Sequence, residues 1–185
     1  PYSAMDIYYR KRTWTYVFDL PENKDEQKKI ADCLSSLDDL INAETQKLDA
    51  LRDHKKGLMQ QLFAGEGEMV PKLRFEEFRG SGEWVEKILK DVCRMQAGKF
   101  VSAYEINENK SKGLFPCYGG NGIRGYTRSF THEGKYSLIG RQGALCGNVT
   151  IADGKFHATE HALVITPKEK VDTIWLFYML THLNL

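Results

Sequence analysis

Between positions 27 and 62 the apolar residues fall at alternating gaps of three and four, at Ile30, Leu34, Leu37, Ile41, Leu48, Leu51, Leu58 and Leu62. This is one heptad seam, and a seven-residue repeat kept up over such a length closes only against another helix. The chain must therefore contain a long helix whose stripe packs along a partner. Glu44 and Lys55 stand at seam positions, where polar groups weaken pairing but fix register and orientation. The pattern points to one specified partner.

Local signals bound that helix. Pro21 and Asn23 supply a stop and an N-cap, while Asp25 and Glu26 put negative charge on the first turn, where the helix dipole favours it. Only Gly57 interrupts the pattern before Gly65 and Gly67 end it. The spacing predicts a helix starting near Lys24 and reaching about Phe63, about forty residues and about 60 Å of rod.

The flanks have a different texture. The first twenty residues are aromatic and basic, and Tyr8, Tyr9, Trp14, Tyr16, Val17 and Phe18 read as strand or turn material too small for a core. They look like the end of a preceding domain, and a chain opening on Pro1 reads as a piece of something longer. Residues 65–79 mix glycine, Pro71 and charge, as a linker does. Past Trp84 the pattern is mixed, with strands expected at 135–139, 147–151 and 162–166 between glycine-rich turns and an apolar helix at 172–183.

Composition narrows the function. With 42% hydrophobic residues the chain can build a core, and 26 Lys and Arg against 25 Asp and Glu give no overall pull toward nucleic acid or membrane. A DNA contact would have to come from a local patch. Cys33, Cys93, Cys117 and Cys146 form no CxxC pair, which points to reduced thiols in a cytoplasmic protein. No apolar run approaches the roughly 20 residues of a membrane helix.

His157-Ala158-Thr159-Glu160-His161 fits the H-x-x-E-H spacing of a zinc peptidase, which needs a helix to bring both imidazoles to one metal. Here the segment runs into Ala162-Leu163-Val164-Ile165-Thr166, which favours a strand, so the histidines are expected to hold the fold or lie on the surface and no metal is expected. Gly119-Gly120-Asn121-Gly122 lacks the GK[ST] of a phosphate loop and the GxGxxG spacing of a dinucleotide fold.

The order of segments resembles the DNA-specificity subunit of type I restriction-modification systems. PENKDEQKKIADCLSSLDDLI at 21–41 is similar to that family's entry into its spacer helix, and KKGLMQQLF at 55–63 with PKLRFEEF at 71–78 resembles the exit and the opening of the next recognition domain. GGNGIRGYT at 119–127 and LIGRQGALCGNV at 138–149 continue the likeness. The resemblance implies an α+β chain, a mixed α/β target-recognition domain joined to a long coiled-coil-forming helix. It implies a segment at 1–20 closing a preceding recognition domain, a spacer at 21–65, and a recognition domain at 66–185 that is incomplete at its C-terminus.

It also implies a non-catalytic subunit with no cofactor of its own. Its partners would be double-stranded DNA, methyltransferase subunits using S-adenosylmethionine, and a restriction and translocase subunit using ATP and Mg. The family has two recognition domains and two antiparallel helices, so a half-length unit could homodimerise through its helix.

Base edges are read by side chains, and phosphates supply position. Arg124 and Arg128 can fork onto guanine or phosphate, Asn121 can pair with adenine, and Arg141 with Gln142 repeats the two chemistries in a second glycine-flanked turn. Tyr118 joins them at the edge of the first turn, and Lys99, Lys110 and Lys112 are expected phosphate contacts. The rival is an adaptor that uses the heptad to hold proteins and never touches DNA.

Overall fold

Helix α1 spans Lys24–Leu62 in the computed structural model, which describes residues 17–143 and 146–183. The expected closing segment lies outside the described residues up to position 16. Asn23 caps the helix, its Oδ1 accepting from the Asp25 N–H at 2.8 Å and its carbonyl from the Gln27 N–H at 3.1 Å. At 39 residues the helix is about 58 Å long. None of its residues is buried. From Ile30 to Leu51 the apolar seam side chains are between 47% and 62% exposed.

By its contacts the chain divides into two compact units after His54. The last two turns of α1 belong to the second, and there the seam changes character. Leu58 and Leu62 are half-buried, and with Phe63, Trp84, Trp175 and Tyr178 they line an apolar hollow of about 630 Å³. The Lys55 ammonium sits 5.0 Å over the Tyr178 ring. Residues 65–79 are tied to this end of the helix. The Leu73 N–H donates to the Gln61 carbonyl at 2.9 Å, and Trp84 N–H to Met69 at 2.7 Å.

The second unit continues through a one-turn helix α2 (Leu89–Val92), strands β1 (Cys93–Ala97), β2 (Phe115–Gly119), β3 (Gly122–Thr127), β4 (His132–Glu133), β5 (Tyr136–Gly140), β6 (Val149–Ala152), β7 (Lys155–Ala158) and β8 (Ala162–Pro167), and helix α3 (Thr173–Leu183). The chain is thus α+β. Among the described residues the strands form two four-stranded sheets, β1-β8-β5-β6 and β3-β2-β7-β4. All pairs are antiparallel except β2 with β7.

The strands β5 and β8 explain the layering. Successive side chains point to opposite faces, and here both faces are covered. Leu138 and Val164, cross-strand partners, join Tyr118, Ala152, Phe156 and Ala158 in one cluster with residues of the second sheet. Their neighbours Ile139 and Ile165 join Cys93, Leu176 and Leu180 in another, under α3. The first sheet is the middle of three layers, which is why its strands read as near-continuous apolar runs. Asp172 caps α3, its Oδ1 accepting the N–H groups of Ile174 and Trp175 at 2.9 and 2.8 Å.

Strand β2, not named from sequence, carries Pro116 between two neighbouring strands, where a missing N–H is costly. The register resolves it. Strand β7 pairs only Cys117 and Tyr118, and Tyr126 opposite Pro116 exchanges both backbone bonds with Asn107 instead. No ladder bond needs a donor at Pro116.

Candidate functional site

Three loops meet at one end of the sheets. The first is the two-residue tip of the β2–β3 hairpin, Gly120 and Asn121, closed by the Gly119–Gly122 pair with Gly122 at φ +83°, a conformation that favours glycine. The second leaves β5 at Arg141 and returns through Gly147 to β6. The third, 159–161, joins β7 to β8.

Backbone hydrogen bonds lock the three together. The Arg141 N–H donates to the His161 carbonyl at 2.9 Å, and the Thr159 N–H to the Tyr118 carbonyl at 2.9 Å. Across the second loop the Gly140 N–H donates to the Asn148 carbonyl and the Gly147 N–H to the Gly140 carbonyl, both at 2.9 Å. A Cβ on Gly120 would lie 3.3 Å from the His161 carbonyl oxygen and 3.4 Å from that of Gln142. The glycine therefore lets the hairpin tip sit down on the other two loops.

Between them lies an open concavity of about 580 Å³, lined by the hairpin tip with Ile123, Arg124, Gln142 and His161. Two side-chain hydrogen bonds cross between loops. Asn148 Nδ2 donates to Asn121 Oδ1 at 3.0 Å, and His161 Nδ1 lies 3.1 Å from Gln142 Oε1. His161 Nε2 is 3.2 Å from Glu160 Oε1, while Glu160 Oε2 is buried with no hydrogen-bond partner among the described residues. The concavity thus offers one guanidinium, two amides and an imidazole over a glycine floor. Such a set fits hydrogen-bonding edges better than an apolar ligand.

Of the residues foreseen from sequence, Asn121, Arg124 and Gln142 are brought together here, with exposed Arg141 adjacent along the chain. Arg128 is exposed, one residue past the end of β3, and does not line the concavity. Lys99, Lys110 and Lys112 are exposed and do not line the concavity. Tyr118 departs from expectation, being only 9% exposed with its ring edge-on to Phe156 at 5.5 Å. Burial, more than its neighbours Tyr126 and Asp153, pushes its phenol above the ordinary range. It is a core side chain because β2 turns it into the layer between the sheets. Cys117 beside it is likewise raised by burial, against the opposing pull of Arg124.

Sequence reasoning missed Asn148 and His161 as members of this site. His157 and His161 lie on β7 and in the following turn, not on a helix. His157 is buried, its Nε2 3.1 Å from the Lys99 carbonyl and its Nδ1 3.3 Å from Ser129 Oγ. His161 instead opens into the concavity. No pattern marks Asn148, whose role comes from a contact 27 residues away in the chain.

The family described as type I restriction modification DNA specificity domain matches residues 81–185. The type I restriction enzyme EcoprrI specificity subunit of Escherichia coli is 46% identical over 114 residues, 61% of this chain and 28% of that protein. The MjaVIII specificity subunit of Methanocaldococcus jannaschii is 32% identical across 84% of this chain and 42% of its own length. The chain therefore spans less than half the length of these curated relatives. The crystal structure of the type I restriction-modification S subunit from M. genitalium has the same fold, with a TM-score of 0.63 at 21% identity over 88% of this chain and 42% of that one.

Proposed function

Because the chain belongs to the type I restriction modification DNA specificity family, we propose that its two-sheet unit reads one half of a split DNA target. The observation that carries the reading is that the residues matched to the family, 81–185, include all three loops of the concavity. Base edges would be met by Arg124, Asn121 and Gln142, with Arg141 at the rim. Lys99 and Arg128 would contact phosphate outside it. Residues 66–185 would be the recognition domain, 21–65 the spacer, and 1–20 the close of a preceding domain.

Helix α1 would set the distance between two readers. Its exposed seam supports pairing with an antiparallel helix, from the other half of a longer subunit or from a second copy across a two-fold axis. Methyltransferase subunits would dock on the paired helices, bringing S-adenosylmethionine. A restriction and translocase subunit with ATP and Mg would complete the assembly. The chain itself would be non-catalytic, and its place would be the cytoplasm. No helix among the described residues is long and apolar enough to cross a membrane.

Selection from a random-sequence duplex library, with the cognate methyltransferase subunit present and at two salt concentrations, tests this. One split motif should be enriched, and deleting about one turn of α1, roughly four residues, should change the gap between its halves without changing their sequences. A stable complex of protein subunits that enriches no motif would replace this reading with the adaptor. An unchanged gap after the deletion would remove the spacing role alone.

A further inference from the structure

Asn121 is the only side chain of the hairpin tip able to hydrogen-bond, since its neighbours there are glycines. What it shows to a ligand depends on which end of its amide faces out, because the carbonyl accepts and the NH2 donates. Asn148 decides this. It is not among the residues lining the concavity, and its Nδ2 donates to Asn121 Oδ1 at 3.0 Å. The position of Asn148, though not the turn of its amide, is set by strand pairing, its main-chain carbonyl accepting the Gly140 N–H at 2.9 Å. The Asn121 carbonyl is thereby engaged by Asn148, which leaves the Asn121 NH2 as the end with no hydrogen-bond partner among the described residues.

Gln142 has the same polarity across the concavity, with its Oε1 3.1 Å from His161 Nδ1. Arg124, on the remaining side, has donors only. Glu160 lies next to this rim, 3.2 Å from His161, so a phosphate would meet a carboxylate there while a base edge carries no net charge. Adenine needs an acceptor beside a donor on the protein, whereas guanine shows two adjacent acceptors, N7 and O6, in the major groove.

We propose that Asn148 is a positioning residue that turns the Asn121 amide N–H into the concavity, so that Asn121 and Arg124 form a donor edge for guanine. This rests on the DNA-reading function proposed above, and replaces the adenine pairing expected of Asn121 from sequence alone.

The test is the same library selection, with the full chain and its methyltransferase partner, comparing wild type, Asn148→Asp and Asn121→Asp. An aspartate at 148 only accepts, so Asn121 must turn its NH2 inward and its carbonyl outward. An aspartate at 121 keeps the bond from Asn148 but has no donor to present. The wild type should select guanine at one position. Both variants should lose that preference by about tenfold or more at that position, Asn148→Asp gaining adenine or cytosine there and every other position staying as it was.

Thermal unfolding of each variant separates this from damage to the fold, and Asn121, exposed on a hairpin tip, keeps the test alive if Asn148→Asp unfolds. Uniform weakening on all sequences, an unchanged motif, or a shifted position that is not guanine in the wild type overturns the inference and leaves DNA reading in place. No motif for the wild type overturns both.

Discussion

The seam of α1 and the strands β5 and β8 are built from the same few aliphatic residues, yet they end in opposite states. Leu34 is 58% exposed, whereas Leu138 is 1% and Val164 2% exposed. The difference is in what each geometry can close by itself. A strand in a middle layer finds a sheet on one side and a helix on the other within its own unit. A heptad stripe on one helix finds nothing until a second helix arrives. Leu58 and Leu62 mark the changeover, where the same seam runs into the aromatic hollow beside Trp84 and Trp175. One region is closed by its own fold, and the other leaves its apolar stripe exposed.

The contrast is broken or sharpened most strongly by truncation in the two regions. Phe156→Ala, at a fully buried ring in the layer between the sheets, should cost about 3–5 kcal/mol in denaturant unfolding. Leu34→Ala in the same dilute chain should stay within about 0.5 kcal/mol. A comparable loss for both would mean that the seam is already packed, and the contrast would fail. A smaller effect probes how the finished region holds its helix. Asp172→Ala removes the acceptor for two N–H groups of α3 and should cost about 1 kcal/mol, seen as a lower urea midpoint with an unchanged slope.

The smallest effect is a pH dependence confined to the sheets. His132, stacked on Phe156 at 5.3 Å, is held below the ordinary imidazole value, chiefly by burial and then by His157 and Lys99. The unfolded chain therefore takes up its proton at a higher pH than the folded one. The resulting stability is present above the ordinary histidine range and declines as pH falls from there toward the lowered value. Unfolding at about pH 8 and about pH 5 should show this decline, and His132→Phe should flatten it. An equal decline in the variant would assign the effect to another group.

Legibility followed how local each cause was. The helix start at Asn23, the apolar helix from about 172 and the strands β5, β6 and β8 were readable because capping groups and apolar runs act over a few residues. Strand β2 rests on a non-local cause, since Pro116 is tolerated there because Tyr126 bonds Asn107 instead. The hairpin tip was marked by its glycines, so Asn121 and Arg124 could be named. Tyr118 was misplaced because nothing in Pro116-Cys117-Tyr118-Gly119 tells which face the strand buries. The register shift between Cys117 and Tyr118 in that strand makes counting by alternation unreliable.

Periodicity and capping alone placed a long helix, its start and its apolar stripe, and an α+β unit after it. These are consequences of periodicity and capping, which a linear chain carries in full. Only folding decided which loops meet, that Asn148 Nδ2 reaches Asn121 Oδ1 and that His161 Nδ1 lies beside Gln142 Oε1. Those are contacts between residues up to 27 positions apart, set by sheet register and glycine-permitted backbone approach. No local pattern encodes them, because the partner that orients each side chain arrives only when the sheets close.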